Sequence, residues 1–185
     1  MVSHKGTQTL ETERLILRKY RLDDADDMFA NWVTDRDVTR FWGWKPHDSI
    51  HETRELLQSW IYDYQRDDVY HWVIEYKENT QAIGYIYLNE FENEECHASV
   101  HYLLSKKYWN KGFMSEACAR VLGFAFGEIG LSKVFSRHHE LNPASGRVLG
   151  KCGFCKIGNE NKEYVDSPEL NGLYMLYEVT KIALP

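Results

Sequence analysis

Between His71 and Leu104 the chain runs through "HWVIEY", "QAIGYIYL" and "HASVHYLL", separated only by "KENT" and the acidic "NEFENEE". Apolar residues at alternate positions mark half-buried strands, and connections this short join neighbours that run antiparallel. An antiparallel meander therefore sits at the centre of any fold this chain adopts. Everything on either side must pack against its two faces.

Upstream, "RLILRKY" (14–20) reads as an opening strand. "LDDADDMFANWVTD" follows as a helix, with acids in its first turn and Met28, Phe29, Trp32 and Val33 at helical spacing. An aromatic loop, "RFWGWKP", leads to a second helix, "IHETRELLQSWIYDYQ", capped by Asp48 or Ser49. Downstream the pattern changes to a loop, "SKKYWNKGF", and a helix, "MSEACARVLGFAFGEIG". The strand "KVFSRHH", a short helix in "LNPASGRVLGKCGF" and two terminal strands complete the order. The expected architecture is a single mixed α/β domain over residues 1–185, a mostly antiparallel central sheet flanked by helices.

Charge narrows the function. Lysine and arginine total 22 against 28 acids, a net charge of −6. That balance argues against a general nucleic-acid or anionic-membrane surface, which needs clustered bases. No apolar run is long enough for a membrane span, and "MVSHKGTQTLETER" has no apolar leader core, so a cytoplasmic protein is expected. The four cysteines are too sparse for a disulfide framework, and free thiols are the default.

Two junctions carry chemistry. In "VHYLLSKKYWNKGFMSEA" a strand ends, a short loop follows, and Gly112 stands just before a helix. Backbone N–H groups delivered to a helix N-terminus make an anion site, to which Lys111 adds charge and Ser115 a hydroxyl; the plain alternative is a turn that needs a glycine. In "NPASGRVLGKCGF", Asn142 caps a helix with Pro143 at its first position, and Ser145 falls in the first turn.

Together these stretches resemble the GCN5-related N-acetyltransferase (GNAT) superfamily, and within it the RimJ/RimL-like branch, which acetylates protein N-terminal amines and related substrates. "YWNKGFMSEA" is similar to the branch's aromatic, Lys/Arg-Gly, Ser/Thr-Glu-Ala pattern, and "NPASGRVLGKCGFCKIG" to its Asn-x-x-Ser…Lys-x-Gly-Phe…Gly signature. "LETERLILRKY" is similar to its first strand and "IGYIYL" to its third. The resemblance implies acetyl-CoA as cofactor and strands that splay at the acyl-CoA site. Pantetheine would meet the strand at Leu103 and Leu104 and the pyrophosphate the amides of Asn110, Lys111, Gly112, Phe113, Met114 and Ser115. Asn142 would touch the pantetheine arm, with Arg147 and Lys151 near the phosphates. Trp109 and Met114 depart from the superfamily loop, Met114 being bulkier than the usual small residue.

The resemblance further implies direct attack of a primary amine, a protein N-terminus first and a small amine such as an amino acid, polyamine or antibiotic-like compound second. Ser145 would protonate the leaving thiolate. Where the branch often carries a glutamate on the fourth strand, this chain has Ser99, which cannot act as a carboxylate base. His101, two residues on, is the candidate base, with His138, His139, Glu90 or ordered water as alternatives. Loss of that base would instead leave a non-catalytic acyl-CoA-binding module. Phe41, Trp42, Trp44 and Tyr87 are candidates to line the acceptor cleft, with Glu90 orienting a cationic amine; a monomer or homodimer is expected.

"KCGFCKIG" invites a zinc or thiol-redox reading through Cys152 and Cys155. A four-ligand zinc site needs a second pair at suitable spacing, which Cys96 and Cys118 do not form, and a thioredoxin-like pair would open a helix rather than close one. No metal is expected.

Overall fold

The computed structural model describes residues 2–43, 45–165 and 167–181. The three alternating stretches form strands β3 (Tyr70–Tyr76), β4 (Ala82–Glu92) and β5 (His97–Leu104), paired antiparallel in sequence order. They are the middle of an eight-stranded sheet that also contains β1 (Leu10–Glu11), β2 (Leu15–Arg18), β6 (Lys133–His139), β7 (Cys155–Lys162) and β8 (Gly172–Thr180). The spatial order is β1-β2-β3-β4-β5-β6-β8-β7, antiparallel throughout except for the parallel pair β5–β6.

That exception positions the site. β5 and β6 pair only from His97↔Lys133 to Ser99↔Phe135, although both strands run on. Beyond this short seam the Ser136 hydroxyl donates to the Val100 carbonyl at 2.9 Å, and the strands then part.

Helices cover both faces, as period-2 burial requires. On one lie α4 (Phe113–Phe124) and α5 (Pro143–Lys151), packed on Ile86, Leu88, Val100 and Leu104. On the other lie α1 (Asp24–Met28), α2 (Arg36–Thr39) and α3 (Ile50–Asp63), over Val73, Tyr85 and Leu103. Ser49 caps α3 by accepting from the Glu52 N–H.

Three elements differ from the sequence expectation. The helix expected over 22–35 is a short α1 that continues as a π-turn, Phe29–Val33, with α2 separate beyond it. α4 likewise runs on as a π-turn, Ala125–Ile129. Apolar spacing sees a buried face but not the slip from i−4 to i−5 hydrogen bonds. Thirdly, β4 runs through "NEFE" to Glu92, because a bulge between Asn89 and Glu92 absorbs the acidic residues; Glu90 there has φ 53°.

Arg18 fixes α1 to the sheet. Its side chain, 8% exposed, makes two hydrogen bonds to Asp24, at 2.8 and 2.7 Å, and one to Glu75 at 2.6 Å. Burial alone would lower its pKa; the two carboxylates outweigh it and hold the guanidinium charged. No helix among the described residues is long and apolar enough to cross a membrane.

Candidate active site

Where β5 and β6 part, a cavity of about 450 Å³ opens between β5, the start of α4, the start of α5 and the loop after α2. Leu103, Leu104, Asn110, Gly112, Phe113, Met114, Ser115, Asn142, Ser145, Arg147, Lys151 and Trp42 line it. The sequence-derived cofactor set thus converges on one wall, with one exception. Lys111 lies outside the lining, its Nζ over the Tyr108 ring and its carbonyl accepting from Arg14.

The start of α4 leaves backbone N–H groups without a side-chain cap, an arrangement that suits an anion. Gly112 occupies the N-cap in a left-handed conformation, φ 81°, and no side chain caps the helix, so its first amides have no side-chain partner. Arg14 and Glu116 hold this loop against β2. Glu116 accepts from the Arg14 Nε at 2.7 Å, the Arg14 backbone at 2.9 Å and the Thr12 hydroxyl at 2.5 Å, while Arg14 also reaches the Lys111 carbonyl at 3.1 Å. Arg147 and Lys151 on α5 bring positive charge to the cavity, as does Arg40 across it.

The free edge of β5 lies one residue away from the expected position. The Ser105 N–H donates to the Ile83 carbonyl and the Leu103 carbonyl faces Gly84, so Leu103 and Ser105 turn their backbone toward β4. By strand alternation Val100, Tyr102 and Leu104 face the parted side. The Val100 carbonyl takes the Ser136 hydroxyl, and the Leu104 carbonyl takes the Trp109 indole N–H at 2.7 Å. The Leu103 backbone, where the resemblance implies a contact, is thus occupied by β4, and on the parted side Tyr102 carries the backbone groups left over. A free strand edge, an uncapped helix N-terminus and three cations, Arg40, Arg147 and Lys151, around one cavity fit the acyl chain and phosphates of acetyl-CoA.

Tyr102, which sequence reasoning did not single out, completes the far side. Its hydroxyl is 3.0 Å from both the Ser145 carbonyl and the Ser145 Oγ. Burial first, and neighbouring thiols, push its pKa well above the usual tyrosine value, so it stays protonated. Tyr102 donates its proton to the Ser145 carbonyl, and its oxygen lies beside Ser145 Oγ, which keeps its own proton to donate to Tyr102 or into the cavity. The signal was present in "VHYLL": Tyr102 lies on the α5 side of β5, opposite His101.

On the other face, His101 stacks on its cross-strand partner Tyr87, ring centroids 5.0 Å apart, and Trp42 meets both rings. Its Nε2 is buried with no hydrogen-bond partner among the described residues. Burial first, then the nearby Arg137, lower its pKa to about 4 against the pull of Glu90. His101 is therefore neutral at physiological pH and a weak base. Ser99 stands where the resemblance implies a carboxylate, and Glu90, carried on the β4 bulge, is close enough for the Ser99 hydroxyl to act on its carboxylate. Burial raises the Glu90 carboxyl, but Ser99, Arg137 and His101 outweigh it and hold it below the usual range.

The other histidines are committed elsewhere. His138 Nδ1 donates to the His139 carbonyl, which leaves Nε2 to accept from Tyr177. His139 Nδ1 accepts from the Leu141 N–H and Nε2 donates to the Asn171 carbonyl. Phe41 packs on His139, while Trp44 lies outside the described residues. Cys155 is exposed and Cys152 buried, and no group of three or more metal-binding side chains occurs among the described residues.

Buried neutral histidines have a consequence for stability. Burial lowers His71 to about 3, as it lowers His101 to about 4, whereas both titrate near 6.5 in an unfolded chain. Below that value the unfolded state binds protons the native state refuses, so stability is complete above about pH 6.5 and falls as the pH drops toward 4. Urea unfolding at about pH 7 and about pH 4.5 is expected to differ by on the order of 2–3 kcal/mol per histidine. His71→Phe should remove its share; an unchanged difference in that variant would refute the assignment.

The family model described as "Acetyltransferase (GNAT) domain" matches residues 14–155. An uncharacterized N-acetyltransferase, YoaA, of Bacillus subtilis is 34% identical over 149 residues, 80% of this chain and 84% of that protein. Another, p20 of Bacillus licheniformis, is 31% identical over 152 residues, 82% and 84% of the two chains. Among solved structures, spermidine N-acetyltransferase from Vibrio cholerae, in complex with CoA and spermine, superposes with a TM-score of 0.75 at 20% identity, covering 93% of this chain and 98% of that one. A candidate ribosomal-protein-serine acetyltransferase from Vibrio cholerae gives 0.80 at 18% identity, covering 95% and 99%. With the parted strands, the uncapped helix start and most of the chain matched, the protein belongs to the GNAT acetyltransferase family.

Proposed function

We propose that the protein transfers an acetyl group from acetyl-CoA to a primary amine in a ternary complex, as a RimJ/RimL-like enzyme whose acceptor is a small amine. The observation that carries this is the Ser145–Tyr102 hydroxyl pair inside the cavity where β5 and β6 part. Acetyl-CoA supplies the acetyl group as a thioester: the acceptor nitrogen takes the acetyl carbon, the carbon–sulfur bond breaks, the sulfur gains a proton, and the ammonium's proton leaves to solvent. The chain's share is positioning and proton placement. The α4 amides with Arg147 and Lys151 hold phosphates, the β5 edge holds an amide-bearing arm, and Ser145 Oγ, positioned by Tyr102, donates toward the departing sulfur. On the acceptor side a neutral His101 accepts a hydrogen bond from the amine, and proton loss passes to water. Phe41 and Trp42 bridge the gap from His139 to His101, which favours a small amine over the N-terminus of a folded protein.

Thiol release from acetyl-CoA with a panel of amines tests the activity. Ser145→Ala should lower kcat by roughly a hundredfold and Tyr102→Phe by roughly tenfold, with CoA affinity kept within a few-fold. Tight CoA binding without release for any amine or N-terminal peptide would replace the enzyme with a binding module.

A further inference from the structure

Arg137 lies on β6 just beyond the seam, on the face that carries His101, and Arg137 and Glu90 both act electrostatically on His101. Its partner is Glu90, at 3.5 Å through a single N–H. Two other arginines grip a carboxylate with two bonds, Arg18 with Asp24 at 2.8 and 2.7 Å and Arg66 with Asp68 at 2.9 and 2.8 Å, whereas the exposed Arg54 meets Asp26 through one contact at 3.3 Å. A guanidinium has five N–H donors arranged to grip a carboxylate with two of them. Arg137, 30% exposed at the mouth of the parted strands, leaves that grip unused among the described residues.

The charges around the acceptor position are thus one anion and one cation, a short distance apart, against an aromatic wall of Tyr87, His101 and Trp42. A polyamine would bring its further cations toward Arg137. A peptide N-terminus would offer Arg137 an amide carbonyl in place of a carboxylate. An ammonium and a carboxylate on one carbon match both charges at once, and the wall suits an apolar or aromatic side chain.

We infer that the acceptor is a free α-amino acid with an apolar or aromatic side chain, its carboxylate held by Arg137 and its amino group beside Glu90 and His101. The assignment depends on the acetyl transfer proposed above and specifies its acceptor. The test uses the full chain with acetyl-CoA and the common amino acids, each beside its amide and its decarboxylated amine, together with spermidine. Thiol release and product mass are measured, as is the melting shift each compound produces in the CoA-loaded protein. The expected result is a kcat/KM at least tenfold higher for the best amino acid than for its amide and amine, with a matching melting shift for that amino acid. Arg137→Gln should abolish the preference and leave the melting shift produced by CoA alone unchanged. A preference for the amide, the decarboxylated amine or spermidine overturns the inference and leaves acetyl transfer standing. Thiol release from none of them, with CoA still bound, overturns both.

Discussion

Gly84→Ala is expected to lower the unfolding free energy by about 3 kcal/mol or more and to abolish CoA binding. Gly84 pairs with Leu104 in the meander, and a Cβ there would stand 2.3 Å from the Leu103 carbonyl oxygen and 2.9 Å from the Leu104 Cα. Those neighbours are backbone, so no side-chain rotation relieves the clash. Relief means moving β5, the strand whose free edge lines the cavity. Gly123, inside α4, is the control: nothing lies within 4 Å of its added Cβ, and Gly123→Ala should be neutral or stabilise by up to about 1 kcal/mol. Urea unfolding and CoA calorimetry on both variants decide the matter. A Gly84→Ala protein as stable as the parent, with CoA affinity intact, would contradict the close approach.

Arg18→Ala should be comparably severe but should strike the other side of the sheet. Asp24 and Glu75, 6% and 12% exposed, would keep their carboxylates without the cation that compensates both. Removing one partner of a buried ion pair costs about 3–5 kcal/mol, because the charge left behind is uncompensated. Asp24 opens α1, so the loss loosens the helical layer that leads into Phe41 and Trp42, while α4 and α5 keep their own contacts. Acceptor KM is therefore expected to rise more than the CoA dissociation constant, under conditions where the variant remains folded. Equal damage to both constants, or a loss of stability under about 1 kcal/mol, would show that the network does not hold the layer.

The meander, the β6 strand and the two helices of the cofactor wall were legible because each has a face that must be buried and a cap or glycine that ends it. Asn142 and Gly112 fall where the residue types place them. The acceptor side was less legible. Its parts arrive from β4, β5, β6 and the loop after α2, and no spacing in one segment encodes a contact such as Trp42 with His101. Ser99 shows the limit well: along β5 it reads as a missing carboxylate, yet the bulge in β4 brings Glu90 close enough for the Ser99 hydroxyl to act on its carboxylate. Tyr102 was passed over for a related reason, since its significance lies in the Ser145 hydroxyl it meets across 43 positions of chain.

The three-pair seam between β5 and β6 has a further consequence, for cooperativity. It divides the sheet into a five-stranded leaf and a three-stranded leaf, joined mainly there and by the helices that cross it. Opening along that line breaks fewer backbone hydrogen bonds than separating β4 from β5 or β6 from β8, so the two leaves part there at comparatively low cost. A molecule bound in the cavity touches β5 and α5, the helix that follows β6, and loses contacts when the leaves separate. Occupancy thus acts as a fastener, coupling the β6–β8 leaf to the rest of the domain and raising its hydrogen-exchange protection in proportion to ligand concentration.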